Sequence, residues 1–176
     1  LLVGLGVAVF LVSLLFFRGR STPTITARTS PSQVVATYYR ALEKLDPDLL
    51  EETLTRGVAR GTVNMVTHLY VIHRVTTAYS GKPLDSPGPI RIKDLRIVQT
   101  RRQPPEFLAR YQLILERGSG EDLVWEIQDC EDRLRLGRRK DRRVGEKWVI
   151  VALSQKTGAK REVKPKPEEG ALSPSR

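Results

Sequence analysis

The run LLVGLGVAVFLVSLLFF, residues 1–17, carries no charged side chain and only Ser13 as a polar one. As a helix it would rise about 26 Å, close to the roughly 30 Å hydrocarbon core of a bilayer. A helix that is apolar on every face has no side to turn toward water. A single transmembrane helix is therefore expected, with a few residues upstream of Leu1 completing the span. The competing reading, a cleaved signal peptide, lacks a small-x-small cleavage pattern after Phe17, where Arg18, Gly19 and Arg20 stand instead. No cysteine follows the run, which excludes a lipoprotein anchor. Arg18, Arg20 and Arg28 precede the first acid, Glu43, and by the positive-inside rule would hold the rest of the chain in the cytoplasm. That rule compares two flanks, and a Lys/Arg-rich upstream flank would reverse the orientation.

The chain has 176 residues, 40% hydrophobic and 28% charged, enough for one folded domain besides the membrane segment. Its formal net charge of +10 predicts attraction to polyanions without constraining the fold. Cys130 is the only cysteine, so neither an internal disulfide nor a Cys-based zinc site can form.

Residues 18–29 are polar and aperiodic and read as a linker. At "SPSQ" Ser30 offers an N-cap, Pro31 the first helical position and Gln33 the reciprocal capping-box partner. Val34, Val35, Tyr38, Leu42 and Leu45 then give a helix one apolar face. Asp46 and Pro47 repeat the signal and open a second, shorter helix. In residues 60–80 Met65, Leu69, Ile72 and Tyr79 fit a helical stripe although Val, Ile and Thr abound, and a helix is expected there. "GKPLDSPGP" breaks the chain. Strands follow over 90–100, over 107–117 with Phe107, Ala109, Tyr111, Leu113 and Leu115 alternating inward, over 122–131 after the turn "GSGE", and over 147–155. The fold class is α+β: two or three helices packed on a curved antiparallel sheet over residues 30–155, with a disordered tail at 156–176.

The opening "SPSQVVATYYRALEKLDPDLLEETL" and the closing "GEKWVIVAL" resemble the first two helices and the last strand of the nuclear transport factor 2-like (SnoaL-like, cystatin-related) superfamily. The resemblance covers about residues 30–155 and rests on motifs of shape more than of chemistry. It implies a cone-shaped domain whose cavity serves isomerases, hydrolases, carriers and adhesive domains alike, so it assigns no activity. Behind a membrane span, the domain is similar to extracytoplasmic members of that group, among them bitopic assembly factors of bacterial secretion systems.

Enzymes of that kind need acids, His or Tyr inside the cone. The cavity candidates are Tyr70, His73, Tyr111, Trp125 and Asp129, with Asp129 on the strand face of Trp125 and Ile127, where an apolar cavity would raise its pKa. His68 and His73, five residues apart, would lie about 140° apart on a helix and cannot share a metal ion. No catalytic residue, metal site or cofactor is assigned, and a phosphate loop, nucleophile elbow and metal-binding helix motif are all missing.

Between Arg133 and Arg143 seven of eleven residues are basic: Arg133, Arg135, Arg138, Arg139, Lys140, Arg142 and Arg143. As a hairpin tip the run would present several guanidinium groups to one acidic partner. No aromatic residue interleaves the charges to stack on bases, which disfavours nucleic acid. Anionic lipid, an envelope polyanion or an acidic protein is the expected partner, each basic residue near a membrane surface adding about 1 kcal/mol. The expectation is a non-enzymatic domain in the cytoplasmic membrane, held by one pass and displayed outside the cytoplasm. It would bind partner proteins or a small apolar ligand in an envelope complex, with an oligomer permitted. A SnoaL-like enzyme and a cytoplasmic membrane-tethered nucleic-acid binder remain the alternatives.

Overall fold

The computed structural model describes residues 24–81, 88–118 and 123–164. The apolar run 1–17 lies outside them, as do most of the "GKPLDSPGP" break and the tail from residue 165. Among the described residues no helix is long and apolar enough to cross a membrane.

Among the described residues three helices lead and four strands follow: α1 (Pro31–Glu43), α2 (Pro47–Thr53), α3 (Arg56–Tyr79), β1 (Ile90–Arg102), β2 (Pro105–Arg117), β3 (Val124–Asp141) and β4 (Gly145–Val163). The chain is α+β, its helices packed against one antiparallel sheet of order β1-β2-β3-β4. Both expected caps form. Ser30 Oγ accepts from the Gln33 amide at 3.3 Å while Gln33 Oε1 accepts from the Ser30 amide at 2.8 Å, and Asp46 Oδ1 accepts from the Leu49 amide at 2.9 Å. Between the two helices Leu45 takes a left-handed φ of 51°, which turns the chain sharply enough to bury its own side chain. The residues after α2 run along the last strand, where the Thr55 amide donates to the Ile150 carbonyl at 3.0 Å.

The inward face of the sheet follows from pairing. Phe107 opposes Leu134, Ala109 opposes Asp132 and Tyr111 opposes Cys130, while Leu134 opposes Leu153 and Leu136 opposes Ile150. These side chains meet Val34, Val35, Tyr39, Leu50 and Leu54 of the helix layer in one hydrophobic core. Alternate residues of the same strands form the outer face.

The fold departs from the sequence expectations in three places. The linker ends early: Ile25 is fully buried, and Glu52 Oε2 of α2 accepts from the Thr24 and Ile25 amides at 2.8 and 3.0 Å, so residues 24–29 belong to the domain. The third strand does not stop at residue 131 but continues to Asp141. Leu134 and Leu136 keep the inward period of two, and the arginines between them occupy the other face instead of forming a loop. The last strand runs past residue 155 to Val163 although its end is polar. Cross-strand charge pairs fit that register: Lys160 Nζ lies 2.6 Å from Glu126 Oε1 and Arg161 Nη2 3.5 Å from Asp129 Oδ2.

Register shifts interrupt the sheet at four places among the described residues, between Lys93 and Arg96, Gln99 and Arg101, Gln128 and Cys130, and Arg135 and Leu136. Thr100 is the extra residue between the pairs Gln99–Phe107 and Arg101–Glu106, and Val151 the extra residue between Arg135–Ala152 and Leu136–Ile150. Each adds local twist. Val151 lies over Gly137, where an added Cβ would sit 2.8 Å from Val151 Cγ1. Gly137→Ala is therefore expected to destabilise the domain by about 1–3 kcal/mol, the range for overpacking a fitted site. Adding Val151→Ala should recover more than half of that loss in urea titrations, and strictly additive effects would refute the contact as the cause.

Candidate functional site

The inward row Ala109–Asp132–Gln155 crosses the middle of the sheet. Ala109 is small, and Tyr39 reaches the row from α1. Asp132 is fully buried. Its Oδ2 accepts from the Tyr39 hydroxyl at 2.8 Å and the Tyr111 hydroxyl at 3.0 Å, and the Gln155 side-chain amide donates to the Tyr111 hydroxyl at 2.9 Å. The Tyr39 and Tyr111 rings meet edge to face at 5.3 Å between centroids, and Tyr38 stands edge-on to Tyr39 at 5.0 Å. Asp132 Oδ1 is buried with no hydrogen-bond partner, and Asp132 forms no salt bridge with any described residue.

Burial without a counter-charge pushes the Asp132 carboxyl above its usual range, against the opposing pull of the Tyr39 and Tyr111 hydrogen bonds and the nearby Gln155 amide. Burial, with the nearby Asp132 carboxyl next in size, also raises the hydroxyls of Tyr39 and Tyr111, so both stay protonated and donate. A carboxylic acid beside a tyrosine in an apolar site can stabilise an oxyanion. Here both hydroxyls are spent on Asp132 itself and all three side chains are buried, so a substrate oxygen would have to displace a tyrosine. The geometry suits a buried clasp between helix layer and sheet.

The five cavity candidates are not brought together. Only Tyr111 faces the interior. Trp125 and Asp129 do share a face, as expected, but it is the outer one. Arg91 and Lys93 lie 5.6 and 6.0 Å from the Trp125 ring. Asp129 is exposed and accepts from Gln112 Nε2 at 3.0 Å, so the apolar cavity expected around it is not there. Tyr70, 38% exposed, and half-buried His73 lie on α3, with the Arg74 guanidinium 5.7 Å from the Tyr70 ring. Sequence reasoning missed Asp132, Tyr39 and Gln155. The available signal was parity: Asp132 holds an inward position between Cys130 and Leu134.

The basic run is not a hairpin tip. Arg133, Arg135 and Arg139 point to the outer face, and Arg138 and Lys140 to the other, where Arg138 lies 4.2 Å over the Trp148 ring. Only Arg142 and Arg143 sit in the turn, closed by Gly145 at φ 77° and by the Arg143 amide donating to Asp141 Oδ1 at 2.8 Å.

A further surface lies on α3. Ala59, Val66 and Thr77 are buried, and Val58, Val63 and Leu69 also pack inward. Of the stripe expected from the sequence, Met65, Ile72 and Tyr79 face away from the core, at 50%, 49% and 90% exposure, and Val71 and Val75 are about half exposed. Met65, His68, Ile72, Val75 and Tyr79 alternate by three and four residues, the spacing of a coiled-coil seam.

Searches against family models, curated proteins and solved structures gave no match. Among the described residues no cluster of His, Cys, Asp or Glu could hold a metal ion.

The Asp132 clasp makes a pH prediction. A carboxyl titrating higher in the folded than in the unfolded chain keeps a proton that unfolding releases. Its contribution is most favourable below the unfolded value of about 3.9 and is lost as pH rises through the folded value. Asp132→Asn cannot ionise, so its melting temperature should gain on the wild type as pH is raised from about 4 to about 8. Parallel curves would show that Asp132 is not held in its protonated form.

Proposed function

We propose that this chain is a membrane-anchored, non-enzymatic interaction domain that joins a partner protein through the outward face of α3. The observation that carries the reading is the second apolar stripe of that helix. A 24-residue helix needs one apolar face to join its own core, and α3 has two. Contiguous exposed apolar surface on a folded domain marks a contact site. Met65, Val71, Ile72, Val75 and Tyr79 carry no charge, and their spacing fits a second helix laid along the seam, so the occupant is a helix of another protein of the assembly.

The wider setting rests on the sequence. The uncharged run 1–17 supports a single-pass anchor in the cytoplasmic membrane, and helices followed by a long antiparallel sheet support a nuclear transport factor 2-like domain of the extracytoplasmic kind. The closed Asp132 clasp favours an adaptor over a SnoaL-like enzyme. The division of the basic run between two faces weakens the case for a nucleic-acid binder.

Replacing Ile72 and Val75 together by Asp tests the docking face. Surface changes of this kind alter stability by about 0.5 kcal/mol or less, so the melting temperature should hold. Crosslinking in intact cells should lose a hetero-adduct that the wild type forms. A homodimer adduct lost instead would make the occupant a second copy, and unchanged adducts would sink the docking reading.

A further inference from the structure

The outer face of the sheet holds a hollow of about 480 Å³, within the size range of small-ligand clefts. Its origin is visible in the strand pairing. Across β2, β3 and β4 run the rows Leu108–Arg133–Ser154 and Glu106–Arg135–Ala152. Ala152 and Ser154 are too short to fill the face between larger neighbours, and the bulges at Thr100 and Val151 bend the strands to either side. Arg133 and Arg135 stand two residues apart on one strand, about 7 Å between Cα atoms, and their side chains leave the same face.

The charges there are poorly balanced. Neither Arg133 nor Arg135 forms a salt bridge or side-chain hydrogen bond with another described residue, although Arg133 acts electrostatically on Glu131 and Glu106 lines the hollow opposite Arg135. Glu131 Oε2 is taken by Arg110 Nε at 2.8 Å, and Glu106 Oε1 lies 3.9 Å from Arg101 Nη1. The Thr100 hydroxyl donates to the Glu106 carbonyl at 3.2 Å and keeps its lone pairs. The Ser154 hydroxyl is exposed. Arg133, Arg135 and Ser154 line the hollow together with Leu108 and Ala152.

We propose that this hollow binds a phosphate ester, the two arginines gripping the phosphate oxygens and Leu108 and Ala152 meeting the carbon part of the ligand. Paired guanidinium groups match the geometry of a phosphate and form charge-assisted hydrogen bonds to it. The residues come from the basic run, but the selection is new: Arg133 and Arg135 form the site, while Arg142 and Arg143, adjacent in sequence, do not.

The test uses the full chain in phosphatidylcholine nanodiscs. One arm titrates glycerol 3-phosphate by calorimetry. The other measures cosedimentation with vesicles of phosphatidylcholine containing phosphatidylglycerol. Three variants accompany the wild type: Arg133→Gln with Arg135→Gln, Arg142→Gln with Arg143→Gln, and Ser154→Leu, which fills the hollow without changing charge. Saturable binding is expected in at least one arm, weakened about tenfold or more by the first pair and by Ser154→Leu and less than about twofold by the turn pair. Binding in the soluble arm alone supports a free phosphate ester as the ligand, binding to vesicles alone a lipid headgroup. Absence of saturable binding in both arms overturns the proposal. So does equal weakening by the two arginine pairs, or full binding by Ser154→Leu.

Discussion

A carboxyl group buried without a cation is costly, and a domain that keeps one must arrange its neighbours around it. Asp132 is such a group, and its partners come from separate elements: Tyr39 from α1, Tyr111 from β2 and, through Tyr111, Gln155 from β4. The Tyr39 bond joins the first helix to the middle of the sheet across a sequence separation of 93 residues, and the Tyr111 bond ties β2 to β3 within it. The apolar contacts of the surrounding core are compatible with small slides, whereas two hydroxyls aimed at one oxygen fix both register and depth. The clasp closes the space that a cavity would need, and the features that face outward are left on the opposite surfaces of the two layers.

Much of the architecture was legible in the sequence because local signals agreed with global ones. Ser30, Pro31 and Gln33, then Asp46 and Pro47, announce two helices through capping chemistry alone, and the caps form as those residue types require. The order of helices before strands and the inward alternation of Phe107 to Leu115 were equally plain. The errors share a cause. The lengths of β3 and β4 were underestimated because residues 132–140 and 156–163 were judged by charge. A sheet with one solvated face accepts Arg at every second position, so over residues 132–136 alternation carries the information and composition does not, whereas the end of β4 is exposed throughout and has no apolar period to reveal it. Ile25 was missed for the opposite reason, a single apolar residue in a polar stretch having no period to reveal it.

The site was less legible than the fold. Tyr111 was found from strand parity, whereas Asp129 was singled out because the neighbours Trp125 and Ile127 suggested an apolar pocket, and Asp132 lay beyond the expected end of the strand at residue 131. Those neighbours lie on the face away from the helices, and a one-residue change in parity moves an acid from the core to water. Likewise the stripe Met65, Leu69, Ile72 and Tyr79 was sound as a sign of helix, but only Leu69 of it packs toward the core while Met65, Ile72 and Tyr79 face away. α3 is apolar on two sides, and which side meets the core depends on Ala59 and Val66, small or β-branched residues that a search for large hydrophobes passes over.

The same parity argument separates two surfaces that a charge or hydropathy profile would blur. The apolar seam of α3 looks outward from the helix layer, and Arg133 and Arg135 look outward from the sheet. Occupation of one therefore does not obstruct the other, and the rigid clasp between the layers holds their relation fixed. A domain built in this way can sit against a partner helix on one side while a phosphate ester fills the hollow on the other. Coupling between them would require a second arrangement of the layers. With Tyr39 and Tyr111 both committed to Asp132, such a rearrangement would have to break a buried hydrogen bond, so the two surfaces are expected to act independently.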